Sequence, residues 1–231
     1  MNSIQKTARA AGLLYLVFAA AGFFSLLYVP SQVIAGDPST TASRIMASES
    51  LFRTGIIAEL FGFTIFVVLP FLLYRLLSPV DRGAAALMVT FALVSVPISF
   101  VAVINKFDIL SLLDAARHLH SLPADRLQAR VTQSLDAYGN GLFVSEIFWG
   151  LWLLPFGYLV YKSGFLPRVF GILLMVGCFG YLIDFAGRTL SDGYAQAAFA
   201  RFVRMPGSIG ELGTCLWLLI VGVREPIRSG D

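Results

Sequence analysis

The sequence predicts an all-α protein, a polytopic transmembrane helical bundle, and two observations lead to that prediction. The 231 residues are 57% hydrophobic and 13% charged, and their mean hydropathy is +0.78. Soluble domains contain about 25% charged residues. A chain this apolar cannot cover its own surface in water and needs lipid around it. The second observation is that the apolar residues are gathered into six long runs.

Each of the six runs is long enough to form a membrane-spanning helix. About 20 residues are needed to cross about 30 Å of hydrocarbon, and a helix satisfies its own backbone polar groups inside lipid. The first run is longer than the apolar core of a cleaved signal peptide, which is about 7–15 residues. We therefore expect this run to be retained as the first span. We predict one transmembrane domain over residues 1–231, with spans near 9–29, 54–77, 84–104, 139–161, 167–187 and 206–223.

The distribution of Lys and Arg predicts the orientation of these spans. Cytoplasmic segments of membrane proteins carry an excess of both residues. With the N-terminus inside, the inner segments are short and basic, and the outer ones are longer and hold most of the Asp residues. Both termini are therefore predicted to be cytoplasmic. The basic residues of the inner segments are Lys6, Arg9, Arg75, Arg82, Lys162, Arg168, Arg224 and Arg228.

Each outer loop carries a predicted surface helix. Asp37 followed by Pro38 is typical of an N-cap and first helical position. In residues 123–139, apolar side chains recur at a spacing of four, which indicates an amphipathic helix. Residues 192–205 show a similar division into apolar and basic faces. These helices are expected to pack over the helix ends or to form a lid over an outward-facing cavity.

Four acidic residues lie inside the predicted spans: Glu59, Glu146, Asp184 and Glu211. With the predicted topology all four fall in the outer half of the membrane. Each has a glycine three or four residues away, on the same face of its helix. Small residues mark close contacts between membrane helices, and a carboxylate facing lipid would cost about 2.5–3.5 kcal/mol. We therefore expect the four acids to point into the bundle as the candidate ligand-binding residues.

Basic and aromatic residues near these acids offer three interpretations. Arg188 follows Asp184 by four residues, a spacing that favours a helical ion pair, while Arg53 and Arg204 stand just outside Glu59 and Glu211. The acids could be structural ion pairs, the lining of a polar cavity for a ligand or cation, or part of a catalytic centre. Three tryptophans deeper in the spans could pack in the core or line a pocket below the acids. They are Trp149, Trp152 and Trp217.

No motif identifies a catalytic residue, a resident metal or a cofactor, and none is expected. The chain has no His-Glu-x-x-His, Gly-x-Ser-x-Gly, Walker or dinucleotide-binding pattern. His118 and His120 are two residues apart, and side chains at that spacing diverge on a helix. Cys178 and Cys215 both lie in apolar runs, where thiols usually only pack.

Four stretches together resemble one bacterial membrane family. They are SESLFRTGIIAEL, LYRLLSPVDR, GYLVYKSGFLPRVFGILLMVGCFGYLID and GELGTCLWLLIVGV, and the turn from Tyr158 to Arg168 is the most telling part. The sequence is similar over nearly its whole length to the family designated DUF4386, a domain of unknown function. The resemblance implies a six- or seven-span protein of the bacterial cytoplasmic (inner) membrane. The resemblance implies no particular activity and identifies no catalytic residues.

The leading hypothesis for function is the binding or passage of a small cation, a proton or a polar solute. It would use an outward-facing cavity lined by the four carboxylates, which supply compensating charge or a protonation switch. One alternative is a membrane-embedded, metal-assisted hydrolase, and enzymatic activity is the less favoured reading. The other is a non-catalytic membrane partner or sensor protein. The expected partners are the lipid bilayer, the small solute and a further copy of the chain, and no basic cluster points to nucleic acid.

Overall fold

The computed structural model describes residues 3–119 and 123–223, and throughout these ranges the regular structure is helical. The predicted all-α fold is therefore confirmed for the described chain. The α-helices are α1 (Ser3–Gly22), α2 (Val29–Val33), α3 (Pro38–Ala47), α4 (Glu49–Leu77), α5 (Arg82–Leu119), α6 (Ala124–Leu151), α7 (Leu153–Lys162), α8 (Arg168–Leu190) and α9 (Met205–Ile220). A π-helical segment, Phe23–Tyr28, joins α1 to α2.

Five helical segments are long and apolar enough to cross a membrane. They are Ser3–Val33, Glu49–Leu77, Arg82–Arg117, Ala124–Lys162 and Arg168–Leu190. All five extend beyond the predicted spans, Glu49–Leu77 at its start, Arg168–Leu190 at its end and the other three at both ends. The sixth predicted span corresponds to α9, which has 16 residues and is about 24 Å long at 1.5 Å per residue. It is shorter than the other five, so this structure supports five spans by length.

The three segments that the sequence predicts to be outer loops differ from one another. Asp37 caps α3 as predicted, because its carboxylate accepts a hydrogen bond of 2.8 Å from the backbone N–H of Thr40. Residues 123–139 do not form a separate helix. They are the first half of α6, which continues to Leu151 because no proline interrupts it. Residues 192–205 form two short 3₁₀ turns instead of an α-helix, Tyr194–Gln196 and Ala198–Arg201.

The chain divides into two compact units. Unit 1 comprises the described residues up to Val17, then Ile65–Val96 and the described residues from Ser145 onward. Unit 2 comprises Phe18–Thr64 and Pro97–Val144. Of the four predicted acids, Glu59 belongs to unit 2 and the other three belong to unit 1.

In unit 1, α8 packs antiparallel against α7 and α9 through glycines. Gly157 on α7 meets the backbone of Gly171, and Gly177 meets the backbone of Gly207 on α9. A side chain at these positions would collide with backbone atoms, so only glycine allows the helices to come this close. The turn before α8 contains Gly164, whose φ of 71° favours glycine.

An aromatic cluster fills the interior of unit 1 where α6 ends. Trp152 interrupts the helix between α6 and α7, three residues before Pro155, which has no N–H to continue the hydrogen-bond ladder. The Trp152 ring is 2% exposed. It stacks on Phe156 and meets Phe66 edge-on, each at 5.1 Å between ring centroids. Tyr15 of α1 lies on its other side at 6.3 Å.

In unit 2, the end of α5 packs antiparallel against the start of α6. Gly141 on α6 lies against Ala102 on α5, and further along the same pair of helices Lys106 meets Tyr138. Gly55 near the start of α4 packs against Val29. This arrangement brings polar side chains from three helices together around Glu59.

Candidate functional site

Glu59 is the centre of a buried triad in unit 2. Its Oε2 atom lies 2.6 Å from Nζ of Lys106, and its Oε1 atom accepts a 2.6 Å hydrogen bond from the hydroxyl of Tyr138. The ammonium group of Lys106 also lies over the Tyr138 ring, 4.0 Å from its centroid. Glu59 is 2% exposed and Lys106 is 4% exposed. Both carboxylate oxygens are thus engaged, and the negative charge is balanced.

Arg53, named from the sequence as a supporting residue for Glu59, binds other acids. Its Nε atom lies 2.6 Å from Glu49, one turn earlier on α4, and a terminal nitrogen lies 3.7 Å from Asp114 on α5. Arg117 joins the same surface cluster through a 2.6 Å contact with Glu49. The role expected for Arg53 is filled by Lys106, which lies just past the predicted span 84–104.

Glu146 and Asp184 share one arginine in unit 1. The Nη1 atom of Arg204 lies 2.7 Å from Glu146, and its Nε atom lies 3.5 Å from Asp184. Arg188 approaches Asp184 at 2.9 Å, which is the four-residue ion pair that the sequence predicts. Asp184 is fully buried. Two carboxylates and two guanidinium groups therefore form one balanced cluster on α6, α8 and the segment before α9.

The electrostatics of this cluster hold Arg204 in its charged form. Burial alone would lower the pKa of its guanidinium, but the carboxylates of Glu146 and Asp184 outweigh burial and raise the pKa above its ordinary value. The guanidinium also lies over the ring of Tyr181, 5.5 Å from the centroid. The second oxygen of Glu146, Oε2, is buried and has no hydrogen-bond partner among the described residues.

Glu211 differs from the other three acids. Its Oε1 atom accepts a 2.7 Å hydrogen bond from the hydroxyl of Tyr15 on α1. Among the described residues it forms no ion pair, and its side chain is half-buried. Tyr181, on α8, is close enough to interact electrostatically with both Glu211 and Arg204. Glu211 is therefore a carboxylate that accepts a hydrogen bond from a tyrosine and lacks an ion-pair partner within the described ranges.

The glycines next to the acids lie at helix contacts. Gly150 and Gly187, near Glu146 and Asp184, meet the rings of Tyr181 and Tyr194, and Gly180 meets the carbonyl of Val203. The acids thus occupy helix faces that pack against other parts of the protein. In the same unit, Gly207 meets Gly177 one turn before Glu211.

Trp149 and Trp217 lie on α6 and α9. Trp149 is half-buried on α6, and Trp217 meets Phe170 edge-on at 6.5 Å between centroids. The third, Trp152, packs on Tyr15 in the aromatic cluster of unit 1.

Sequence reasoning missed five polar residues that contact or face the acids: Tyr15, Lys106, Tyr138, Tyr181 and Tyr194. One signal was available for Lys106, because a lysine in the apolar stretch AVINKFDIL is costly unless it is paired. The tyrosines gave no such signal, since Tyr is common at membrane interfaces.

A metal centre is not evident in the described part of the chain. No three His, Cys, Asp or Glu side chains there lie close enough to hold an ion. His118 lies on α5, and His120 lies outside the described residues. The two cysteines, Cys178 and Cys215, are both buried and free.

The fold and these clusters define a multi-pass helical membrane protein with paired polar groups between its helices. The chain belongs to the family described as domain of unknown function (DUF4386), which matches residues 10–222 and confirms the resemblance. It is also similar to an uncharacterized protein of Archaeoglobus fulgidus, with 30% identity over 150 residues, covering 65% of this chain and 72% of that protein. No solved structure matches.

Proposed function

We propose that the protein binds a proton or a small monovalent cation at Glu211, inside a six-span bundle of the bacterial inner membrane with both termini in the cytoplasm. The observation that supports this is the contrast among the four acids. Glu59, Glu146 and Asp184 each have a lysine or arginine partner, whereas Glu211 has the Tyr15 hydroxyl. An unbalanced carboxylate within a membrane costs about 2.5–3.5 kcal/mol, so it favours a bound proton or cation.

The packing of α9 favours a sixth span. The Gln5 side chain bonds the carbonyl of Val221 at 2.9 Å, and Tyr15 bonds Glu211. Successive turns of α1 therefore meet successive turns of α9 in antiparallel order. Since α1 opens the first candidate span, a helix beside it over this length would lie at membrane depth. Three further described residues, 221–223, follow α9 in a non-helical conformation.

Groups around Glu211 suit a binding site more than a sealed ion pair. Tyr15 of α1 donates a hydrogen bond to Glu211, and Tyr181 of α8 interacts with it electrostatically. Arg204, which lies over the Tyr181 ring, is already bound to Glu146 and Asp184. Oxygen ligands of this kind suit hard monovalent cations and protons. Tyr181 interacts with both Glu211 and Arg204, so a change of charge at Glu211 would alter the electrostatic potential at Arg204.

The experiment is thermal unfolding of the purified full-length protein in detergent. Unfolding is followed across pH and in Li⁺, Na⁺ and K⁺ at constant ionic strength, for wild type and for Glu211→Gln. We expect the melting temperature of the wild type to rise saturably with a proton or one of the cations, and the response to vanish in the variant. Glu146→Gln is the matched control, since it removes a paired carboxylate. It should melt earlier but keep the response.

A non-catalytic membrane partner protein is the second candidate. The ion pairs of Glu59, Glu146 and Asp184 favour it, because paired acids have structural roles more often than ligand-binding ones. It predicts that Glu211→Gln and the wild type respond identically to every pH and cation tested, which would refute the proposal for Glu211. No observation in the described chain favours the metal-assisted hydrolase, which would need about three protein ligands for its ion.

A further inference from the structure

A polar cavity lies between α5 and α6 in unit 2. Its volume is about 320 Å³, and it is lined by Asp108, Ser111 and Leu112 of α5 and by Arg130, Gln133 and Ser134 of α6. On each helix the three lining residues stand at positions i, i+3 and i+4, so they share one face. One face of each antiparallel helix therefore lines the same cavity, and five of the six lining side chains are polar.

The cavity holds two opposite charges that do not pair. Asp108 and Arg130 both line it, yet neither forms an ion pair with any other described residue. Neighbouring charges on α5 behave differently, since Lys106 is bound to Glu59 and Asp114 lies near Arg53 and Arg117. A separated acid and base in one cavity leave room for a molecule that carries both complementary charges.

We propose that this cavity binds a small zwitterion with an ammonium group and a carboxylate or phosphate group. Arg130 holds the anionic oxygens, because its planar guanidinium matches carboxylate and phosphate with two parallel hydrogen bonds. Asp108 accepts hydrogen bonds from the ammonium group. Ser111, Gln133 and Ser134 offer neutral polar atoms that fix orientation. The volume is at the lower end of the range for ligand pockets, about 300–1,000 Å³, which limits the ligand to a small molecule or a headgroup.

The position of the cavity allows two sources for such a zwitterion. Its residues lie between the predicted spans 84–104 and 139–161, at the polar end of both helices. A dissolved amino-acid-like zwitterion could enter from water, and an ethanolamine phosphate headgroup could enter from the lipid. The chemistry is the same in both cases. The proposal concerns unit 2 and does not depend on Glu211.

The experiment measures binding of phosphoethanolamine and β-alanine to the full-length protein by titration calorimetry in detergent. Ethanolamine and inorganic phosphate, each carrying one of the charges, are measured alongside. We expect saturable binding of at least one zwitterion, and binding at least about tenfold weaker for either half alone, since each loses one charge-assisted contact. Asp108→Asn and Arg130→Gln should each weaken zwitterion binding by about tenfold or more.

Matched controls are Asp136→Asn and Arg44→Gln, which make the same changes at exposed positions outside the cavity. They should bind like wild type, and the melting temperatures of all four variants verify folding. A second arm compares wild type with Arg130→Gln in nanodiscs of phosphatidylethanolamine and of phosphatidylglycerol. Stabilisation of wild type by phosphatidylethanolamine alone, lost in the variant, assigns the zwitterion to the lipid, whereas binding of the soluble compounds alone assigns it to a free solute.

Two results would overturn the proposal. One is the absence of saturable binding in both arms. The other is that inorganic phosphate binds as tightly as phosphoethanolamine and Asp108→Asn has no effect, which would leave only an anion contact at Arg130.

Discussion

The ammonium group of Lys106 lies 2.6 Å from a carboxylate oxygen of Glu59, and both side chains are almost completely buried. Tyr138 occupies the other oxygen of the same carboxylate. A buried ion pair is weak evidence for net stability, because desolvation offsets attraction, but the loss of one partner leaves a bare charge. The pair therefore makes a specific prediction about single and double substitutions.

Either single substitution, Glu59→Gln or Lys106→Met, should lower the free energy of unfolding by about 3–5 kcal/mol. The double variant should recover much of that loss, since it removes both charges from the interior. Unfolding by denaturant in detergent micelles measures all four proteins of the cycle. Additive losses in the double variant would show that the two charges are not coupled.

Arg204→Gln should destabilise the protein by about 1–3 kcal/mol, because Glu146 and Asp184 lose a shared donor. The estimate is modest because the Arg204 side chain is 34% exposed. Arg204→Lys should recover only part of the loss, since one ammonium group cannot span both carboxylates. The pKa of Arg204 is raised above its ordinary value, so its contribution is complete below that ordinary value and constant across neutral pH. Equal stability of the Lys variant and wild type, from the same unfolding measurement, would contradict the bridging role.

Gly177→Ala should destabilise the packing of α8 on α9. A Cβ atom there would collide with the backbone of Gly207, which cannot move aside like a flexible side chain. Overpacking of this kind costs about 1–3 kcal/mol. Gly139→Ala is the matched control on α6, where a Cβ would meet no atom within 4 Å, and it should be neutral or stabilising by up to about 1 kcal/mol. The melting temperatures of the two variants are compared with that of the wild type. Equal changes in both variants would show that the close approach of α8 to α9 at Gly177 is not required.

The cap of α3 should depend on pH. Hydrogen bonds from the Ser39 hydroxyl and from Thr40 lower the pKa of Asp37 to about 2. Because the folded pKa is depressed, the stabilising contribution is complete above the ordinary pKa of about 3.9 and is lost as the pH falls through 2. Hydrogen exchange of residues 38–47, corrected for intrinsic rates, should accelerate as the pH falls below 4 in wild type. Asp37→Asn keeps an acceptor but cannot titrate there, so this acceleration should be absent. The same pH dependence in both proteins would exclude Asp37 as its source.

Features set by short stretches of chain were predictable from the sequence. The apolar runs predict membrane-spanning helices because lipid requires about 20 apolar residues with internal hydrogen bonds. Asp37 before Pro38 predicts the start of α3, and the spacing of Asp184 and Arg188 predicts their contact. Each of these depends on neighbours within about one helical turn, which the sequence displays directly.

Helix ends were less predictable than helix existence. The predicted spans stop where polar residues begin, but α5 continues to Leu119 and α6 begins at Ala124. The polar stretch of α5 meets that of α6 at Lys106 and Tyr138, a long-range contact that no local pattern shows. For the same reason Lys106 falls outside the predicted span, although it is buried.

The sequence by itself determined that this protein is a helical membrane protein with acids on glycine-lined faces, since composition, run length and spacing are local properties of the chain. Only the tertiary structure decided which group from a distant part of the chain each acid meets. Glu59 and Lys106 are 47 residues apart, and Tyr15 and Glu211 are 196 apart. Contacts at such separations depend on the order and rotation of helices in the bundle. Those are fixed by the packing of whole helix faces, and no local pattern encodes them.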